Sequence, residues 1–235
     1  MKQSNLNTAE EWTEKGYSFE KDGLFEKAVE CYDKALEIDS NYAKAWNNKG
    51  TSLFTLRKFG EAIRCLDKAL EIDPDYAEAW NNKGICLFSL RMFDEALKCF
   101  DKALEIDPES PNVWLNKGNV LQNMGKYDQA ITSYDMALKL NPNLKWAWSS
   151  KGYTLHGIGN LKEAIICYEK ALELDPKLAG VWNNKGLALK DLGRLEEALE
   201  CFNNVLELEP SLTVAKANRD MVLDLIKKRE KYRVD

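Results

Sequence analysis

Residues 43–76 read AKAWNNKGTSLFTLRKFGEAIRCLDKALEIDPDY, and residues 77–110 read AEAWNNKGICLFSLRMFDEALKCFDKALEIDPES. Both stretches carry a tryptophan, a Lys-Gly pair three residues later, a central alanine and a closing Asp-Pro. The tryptophan, the Lys-Gly pair and the alanine recur every 34 residues through six repeats without insertion: 9–42, 43–76, 77–110, 111–144, 145–178 and 179–212. A fixed period of this length is the signature of a repeat architecture.

Each repeat carries two runs of apolar and small residues at helical spacing. In the second repeat the first run is Trp46, Gly50, Leu53 and Phe54, and the second run is Ala62, Leu66, Ala69 and Leu70. Glycine inside a helix costs about 1 kcal/mol relative to alanine, so the recurring glycine indicates close approach of the facing helix. We therefore predict an all-α fold with two helices per repeat and one more helix after the sixth.

The break between the two helices holds a glycine in four repeats, and Arg57 or Arg91 in the second and third repeats. Glycine here is typical of a left-handed helix C-cap, so the arginines are predicted to be strained. Proline ends the second helix in five repeats because it disfavours helix at the preceding residue. Ser110-Pro111 predicts a helix start, and Asp75 and Glu78 have the spacing of a capping box.

Residues 1–8 form a lead-in before the repeats, and residues 213–235 form a C-terminal capping helix and tail. We expect the apolar residues of that last helix to cover the sixth repeat, with the basic residues facing water. The apolar set predicted to do so is Val214, Ala217, Met221 and Leu225. A terminal repeat needs such a polar outer cap to stay soluble.

The composition excludes several classes of function. The 235 residues carry a net charge of −5 and one histidine, and no apolar run is long enough to cross a membrane. No catalytic residues, metal ligands or cofactor site are visible, so we expect a non-enzymatic protein without cofactors. The N-terminus has no hydrophobic stretch typical of a secretory signal. Five of the six cysteines recur in one column of the second helices, where they read as small buried residues, and a reducing cytoplasm is the expected location.

The pattern of Trp, Lys-Gly, Ala and Pro at 34-residue spacing resembles the tetratricopeptide repeat. The resemblance covers residues 9–212 and implies a right-handed superhelical solenoid of antiparallel helix pairs, whose first helices line a concave groove. Lysine stands where the family usually has an apolar residue before the first glycine, in a form similar to prokaryotic members. We expect a buried aliphatic stem with its ammonium at the surface for this column.

The resemblance implies protein–protein interaction, with an extended peptide or a partner helix in the groove. By the family's register, the candidate groove residues are Asn47, Asn48, Phe54, Asn81, Asn82, Ile85, Phe88, Leu115, Asn116, Asn119, Trp146, Tyr153, His156, Asn183, Asn184 and Leu187. Amide side chains could hold a peptide backbone, or could be satisfied between the helices or by water. Trp146 lies outside the repeating column and is a candidate binding hot spot.

The expected partner is a protein or peptide, with no membrane and no nucleic acid. A helical-repeat RNA-binding protein is the alternative, and an acidic sequence without basic groove columns argues against it. The few charges of the mapped columns predict peptide binding that depends weakly on salt. The first repeat is acidic and the C-terminal tail is basic. The protein is therefore expected to be a monomer or a weak end-to-end homo-oligomer.

Overall fold

The computed structural model describes the backbone of residues 8–234 and the side chains of residues 8–230. Every regular element in that range is an α-helix, and the helices number thirteen, as predicted. They are α1 Ala9–Lys21, α2 Phe25–Ile38, α3 Ala43–Thr55, α4 Phe59–Ile72, α5 Ala77–Ser89, α6 Phe93–Ile106, α7 Pro111–Asn123, α8 Tyr127–Leu140, α9 Lys145–Gly157, α10 Leu161–Leu174, α11 Ala179–Asp191, α12 Leu195–Leu208 and α13 Thr213–Val234.

The described part of the chain divides into two compact units, unit 1 up to Val120 and unit 2 from Leu121 onward. In unit 1 the first helix of the second repeat, α3, contacts its own partner α4, the preceding pair α1 and α2, and the next first helix α5. In unit 2, α11 contacts α9, α10, α12 and α13 in the same way. First helices therefore lie side by side, and their shared surface in each unit is called the first-helix face below.

The recurring glycines allow the two helices of each pair to pack closely. A Cβ atom built on Gly84 would lie 2.7 Å from the ring of Phe100, and one on Gly186 would lie 2.8 Å from the ring of Phe202. Contacts this short require the neighbouring ring to move, so even alanine at these positions would disturb the packing of the pair. The close approach predicted from the glycine column is confirmed.

Left-handed backbone ends the first helices, also as predicted. Arg57 has φ 59° and Arg91 has φ 62°, while the equivalent glycines have φ between 73° and 83°. The Arg57 and Lys58 amides donate to the carbonyls of Phe54 and Leu53, both at 2.9 Å. This pair of hydrogen bonds is the Schellman C-cap, which needs the left-handed residue.

The turns between repeats are held by side chains. After α4, the Asp73 carboxylate accepts a hydrogen bond from the Asp75 amide at 3.1 Å, and the Trp80 Nε1–H donates to the Pro74 carbonyl at 2.9 Å. The predicted capping box at Asp75 and Glu78 is wrong. The reason is that the helix begins one residue later than this box requires: the N-cap of α5 is Tyr76, which makes no side-chain capping bond.

The buried face of the capping helix α13 differs from the prediction. Val214, Ala217, Met221 and Leu225 are exposed, with Val214 at 57%. Ala215 and Val222 are fully buried instead. These two stand 34 residues after Val181 and Ala188, which are buried on α11. Helix α13 thus continues the packing register of a first helix, which decides its buried face.

Candidate functional site

The asparagines of unit 1 form a continuous amide chain across α3, α5 and α7. Asn116 Nδ2 donates to Asn81 Oδ1 at 2.9 Å, and Asn82 Nδ2 donates to Asn47 Oδ1 at 2.9 Å. Within one helix, Asn81 donates to Asn82 at 3.4 Å. The amide groups therefore join neighbouring first helices of successive repeats.

This chain limits which amides can reach a ligand. Asn47 is fully buried and also donates to Glu78 Oε1 at 3.3 Å, so its predicted contact with a ligand is wrong. Its amide makes its hydrogen bonds between helices because the side chain lies in the junction between two repeats. Asn48, Asn82 and Asn116 are only partly buried. Each primary amide has two donors and a carbonyl, so these three keep hydrogen-bonding capacity beyond the chain.

In unit 2 the same link joins α11 to the capping helix, where Asn218 Nδ2 donates to Asn183 Oδ1 at 2.9 Å. Asn183 is therefore engaged in packing of α13, whereas Asn184 lines an open cavity. Asn119, on α7 in unit 1, is partly buried.

The lysine column forms ion pairs between repeats. Lys83 Nζ lies 2.6 Å from Asp67 on the preceding second helix, and Lys117 Nζ lies 2.7 Å from Asp101. The Lys83 ammonium also lies 5.4 Å from the centre of the Trp80 ring. The mostly buried lysines thus stabilise the junctions, each ion pair contributing up to about 1 kcal/mol.

The apolar candidates of unit 1 divide between a small cavity and the core. Phe54, Asn82 and Ile85 line a cavity of about 150 Å³ on the first-helix face. Phe88 packs against Phe93 with ring centres 5.9 Å apart and is partly exposed. Leu115 is buried, so its predicted place on the surface is wrong. The reason is that its side chain is enclosed in the packing of the repeats.

Four candidates of unit 2 come together in one cavity of about 460 Å³. It is lined by Tyr153, His156, Asn184 and Leu187, together with Gln122, Asn123, Tyr127, Thr154 and Gly157. Tyr153 is 55% exposed, and His156 Nε2 lies 2.9 Å from Asp191 Oδ2. An aromatic ring, an amide and a histidine–carboxylate pair therefore share this part of the first-helix face.

Sequence reasoning missed a cavity of about 420 Å³ on the first-helix face of unit 1. Its lining comes from α1, α3, α5 and the residues that precede α3 and α5: Glu10, Thr13, Glu14, Tyr17, Glu20, Tyr42, Lys44, Asn48, Thr51, Tyr76 and Glu78. Only Asn48 was selected from this set. The signal was present in the acidic first repeat, whose Glu14, Tyr17 and Glu20 occupy groove columns. The premise that the groove has few charges is therefore wrong in unit 1.

Trp146 is exposed, at 53%, as expected of a residue outside the repeating column. The Lys145 ammonium lies 5.3 Å from its ring centre and 2.7 Å from Asp175. Trp146 does not line the cavity of unit 2 described above. Its role as a hot spot stays a prediction.

The cysteines carry no exposed reactive thiol in the described part of the chain. All six are free and buried, five on second helices and Cys86 on α5. Burial raises the pKa of Cys86 to about 12 and that of Cys99 to about 11. The reading of these residues as small core side chains is confirmed.

Comparison with known proteins identifies the repeats. The tetratricopeptide repeat family model matches residues 9–42, 43–76, 77–110, 111–144 and 179–212, and a second TPR repeat model matches residues 152–193. The comparison with curated proteins gave no significant match. No helix between residues 8 and 234 is long and apolar enough to cross a membrane.

Solved structures with the same repeat include YrrB, described as a TPR protein with an unusual peptide-binding site. It is 27% identical over 82% of this chain and 99% of its own, with a TM-score of 0.65. MamA from Desulfovibrio magneticus RS-1 is 26% identical over 72% of this chain and 96% of its own, with a TM-score of 0.66. PilF of Pseudomonas aeruginosa shares the fold, with a TM-score of 0.81 over 91% and 97% of the two chains at 22% identity.

Proposed function

The chain belongs to the tetratricopeptide repeat family, and we propose that its first-helix faces bind an extended peptide segment of a partner protein. The family and its solved relatives support a protein-interaction scaffold. YrrB is itself described as carrying a peptide-binding site. Nothing in the match or in the acidic surface of unit 1 favours the RNA-binding alternative, because phosphate contacts require clustered lysine and arginine.

The observation that carries this proposal is the combination of amides and open cavities on the same helices. Asn82 lines the small apolar cavity with Phe54 and Ile85, and it stands in the amide chain. Asn184 likewise lines the cavity of Tyr153 in unit 2. Amides can pair with the N–H and carbonyl of an extended backbone, while the cavities accept its side chains.

The test is a peptide selected on the wild-type protein from a random displayed library and then titrated against single variants. Phe88→Ala is expected to weaken binding by about thirty-fold, the effect of losing a large apolar anchor. Asn82→Ala should weaken binding by about two- to ten-fold, the net value of one neutral hydrogen bond. Thermal melts of both variants separate loss of binding from loss of folded protein, because Asn82 also joins α5 to α3.

Lys98→Ala is the matched control, since Lys98 is exposed on the second helix α6. It should leave the affinity unchanged. If Lys98→Ala weakens binding as much as Phe88→Ala, the peptide lies on the second helices and the proposal is wrong. A cytoplasmic location and a monomeric or weakly end-to-end associated state belong to the same proposal, and sedimentation at increasing salt tests the association.

A further inference from the structure

The cavity of about 420 Å³ between α1, α3 and the start of α5 has an acidic lining. Four of its eleven lining residues are glutamates, Glu10, Glu14, Glu20 and Glu78, and its one basic residue is Lys44. Its volume lies in the range of cavities that take small ligands or single side chains. The formal charge of its lining is therefore strongly negative, which favours a cationic ligand.

The carboxylates of this cavity are not neutralised by the protein itself. Among residues 8–230, no ion pair joins Glu10, Glu14, Glu20 or Glu78 to a lysine or arginine. This contrasts with the lysine column, where each described lysine from Lys49 to Lys185 has an acidic partner. A cationic ligand would therefore pair with these carboxylates without first breaking an ion pair within the protein.

A buried tyrosine lies behind the cavity. Tyr32 is fully buried, and its hydroxyl makes no hydrogen bond of standard geometry. The hydroxyl interacts with the side chains of Glu20 and Asn48, which both line the cavity. Tyr32 therefore helps to hold these two polar groups at the cavity wall.

Glu20 is poised in the same place. Its Oε1 accepts a hydrogen bond from the Ser52 hydroxyl at 2.5 Å, and burial raises the pKa of its carboxyl. A raised pKa means that the charged form lacks full solvation. A guanidinium has five N–H donors in a planar fork, so it can bind the Glu20 carboxylate and the amide oxygen of Asn48, which also lines the cavity.

The aromatic residues of the cavity suit a cation as well. Tyr17, Tyr42 and Tyr76 line it, and the ammonium of Lys21 already lies 4.5 Å from the centre of the Tyr17 ring. That contact shows that this ring accepts a cation on one face. Cation–π attraction adds to the carboxylates when the cation loses water.

The acidic cavity adjoins the apolar one. Thr51 lines both the 420 Å³ cavity and the 150 Å³ cavity of Phe54 and Ile85. Alternate side chains of an extended peptide point to the same face. A peptide crossing α3 can therefore place one side chain in each cavity.

We propose that the first-helix face of unit 1 recognises a basic peptide, with an arginine side chain in the cavity of Glu14, Glu20 and Tyr76 and an apolar side chain in the adjoining cavity. This inference rests on the proposed function and specifies its ligand class. The peptide belongs to a partner protein. The basic tail of a second copy of this chain is the rival occupant.

The test uses short fluorescent glycine/serine peptides with Arg-Ser-Leu at their centre, followed by anisotropy. The comparison peptide carries citrulline instead of arginine, which keeps the shape and removes the charge. We expect citrulline to weaken binding about ten-fold or more, the effect of losing charged hydrogen bonds. The Arg-Ser-Leu affinity should also fall as salt rises.

The matched variants separate a local effect from the general charge of the first repeat. Glu10→Gln with Glu14→Gln should weaken the arginine peptide about ten-fold and leave the citrulline peptide unchanged. Glu26→Gln with Glu30→Gln removes two exposed carboxylates from α2 instead and should change neither affinity more than about two-fold. Equal effects of the two pairs would overturn the inference.

The remaining outcomes are also decisive. Equal affinity for the arginine and citrulline peptides, or no binding of either, overturns the basic-peptide inference. The proposed function is tested separately, by the effect of Phe88→Ala on the affinity for the library-selected peptide. If the wild-type protein dimerises, and Lys227→Glu with Lys228→Glu on exposed α13 positions abolishes dimers while raising the affinity for Arg-Ser-Leu, a second copy is the occupant and the inference is wrong.

Discussion

Replacing Arg57 and Arg91 by glycine should stabilise the protein, because both residues are held in left-handed backbone at φ 59° and 62°. The hydrogen bonds of the C-cap prevent Arg57 from leaving this conformation. Both side chains are exposed, and neither makes an ion pair in the described structure, so little is lost with the guanidinium. The equivalent glycines of the other repeats have nothing within 4 Å of a built Cβ, so strain of the backbone alone decides the effect.

The magnitude follows from two opposing terms. Left-handed backbone costs a non-glycine residue about 1–2 kcal/mol. Removing that strain stabilises the folded protein. Glycine also loses more conformational freedom on folding, and this entropy cost offsets roughly 0.5–1 kcal/mol of the stabilisation. Each substitution should therefore raise the free energy of unfolding by about 0.5–1 kcal/mol. The two sites lie one repeat apart, and their effects should add.

Urea unfolding followed by helical circular dichroism measures the effect, with a higher midpoint and an unchanged slope expected. Lys58→Gly is the control, since Lys58 is the next residue and has φ −86°. Lys58 is the N-cap of α4 and makes no side-chain capping bond, so glycine there should change stability by less than about 0.5 kcal/mol. If Arg57→Gly raises stability no more than Lys58→Gly does, backbone strain at the C-cap is not the governing term.

Three further outcomes are expected. Trp80→Ala should cost about 3 kcal/mol or more, because the ring packs on the core and bonds the preceding turn, whereas exposed Trp146→Ala should cost under about 1 kcal/mol. Equal losses in denaturant melts would show that Trp146 is also core. Deleting residues 213–235 should lower solubility, because it exposes Val205, which is fully buried beneath α13. A truncated chain that stays monomeric and has an unchanged melting temperature would contradict this prediction. Burial raises the pKa of the Glu20 carboxyl above its value in the unfolded chain. The wild-type protein should therefore gain stability relative to Glu20→Gln as pH falls from neutral through the raised pKa. Parallel curves of unfolding free energy against pH for the two proteins would refute this prediction.

Several features of the fold could be predicted because they depend on neighbouring residues or on the period. Proline and glycine act on their own backbone, so the helix breaks and the left-handed Arg57 and Arg91 followed from the sequence. The face of α13 was missed because its hydrophobic pattern offers two stripes. Val214 and Met221 form one and Ala215 and Val222 form the other. Counting 34 residues on from Val181 would have selected the correct stripe.

The candidate site was harder to predict because each of its polar side chains can either pack between helices or face solvent. Asn47 and Asn48 are adjacent in sequence, yet one is fully buried and the other lines a cavity. Neighbouring residues of a helix are rotated by about 100° from each other, so the amide of Asn47 lies in the repeat junction while that of Asn48 faces the cavity. The acidic cavity draws on α1, α3 and α5, and periodicity alone does not show which glutamates of different repeats converge.

By itself the sequence determined the repeats, the helix pairs and the places where helices end, because these follow from short-range backbone chemistry repeated at a constant period. Only the tertiary structure decided which polar groups are consumed between helices and which stay open. The lysine column became ion pairs with the preceding repeat, and the buried Tyr32 hydroxyl came to lie beside Glu20 of the facing helix. Both results depend on distances between side chains a dozen or more residues apart in sequence. Packing sets those distances, and the local sequence does not.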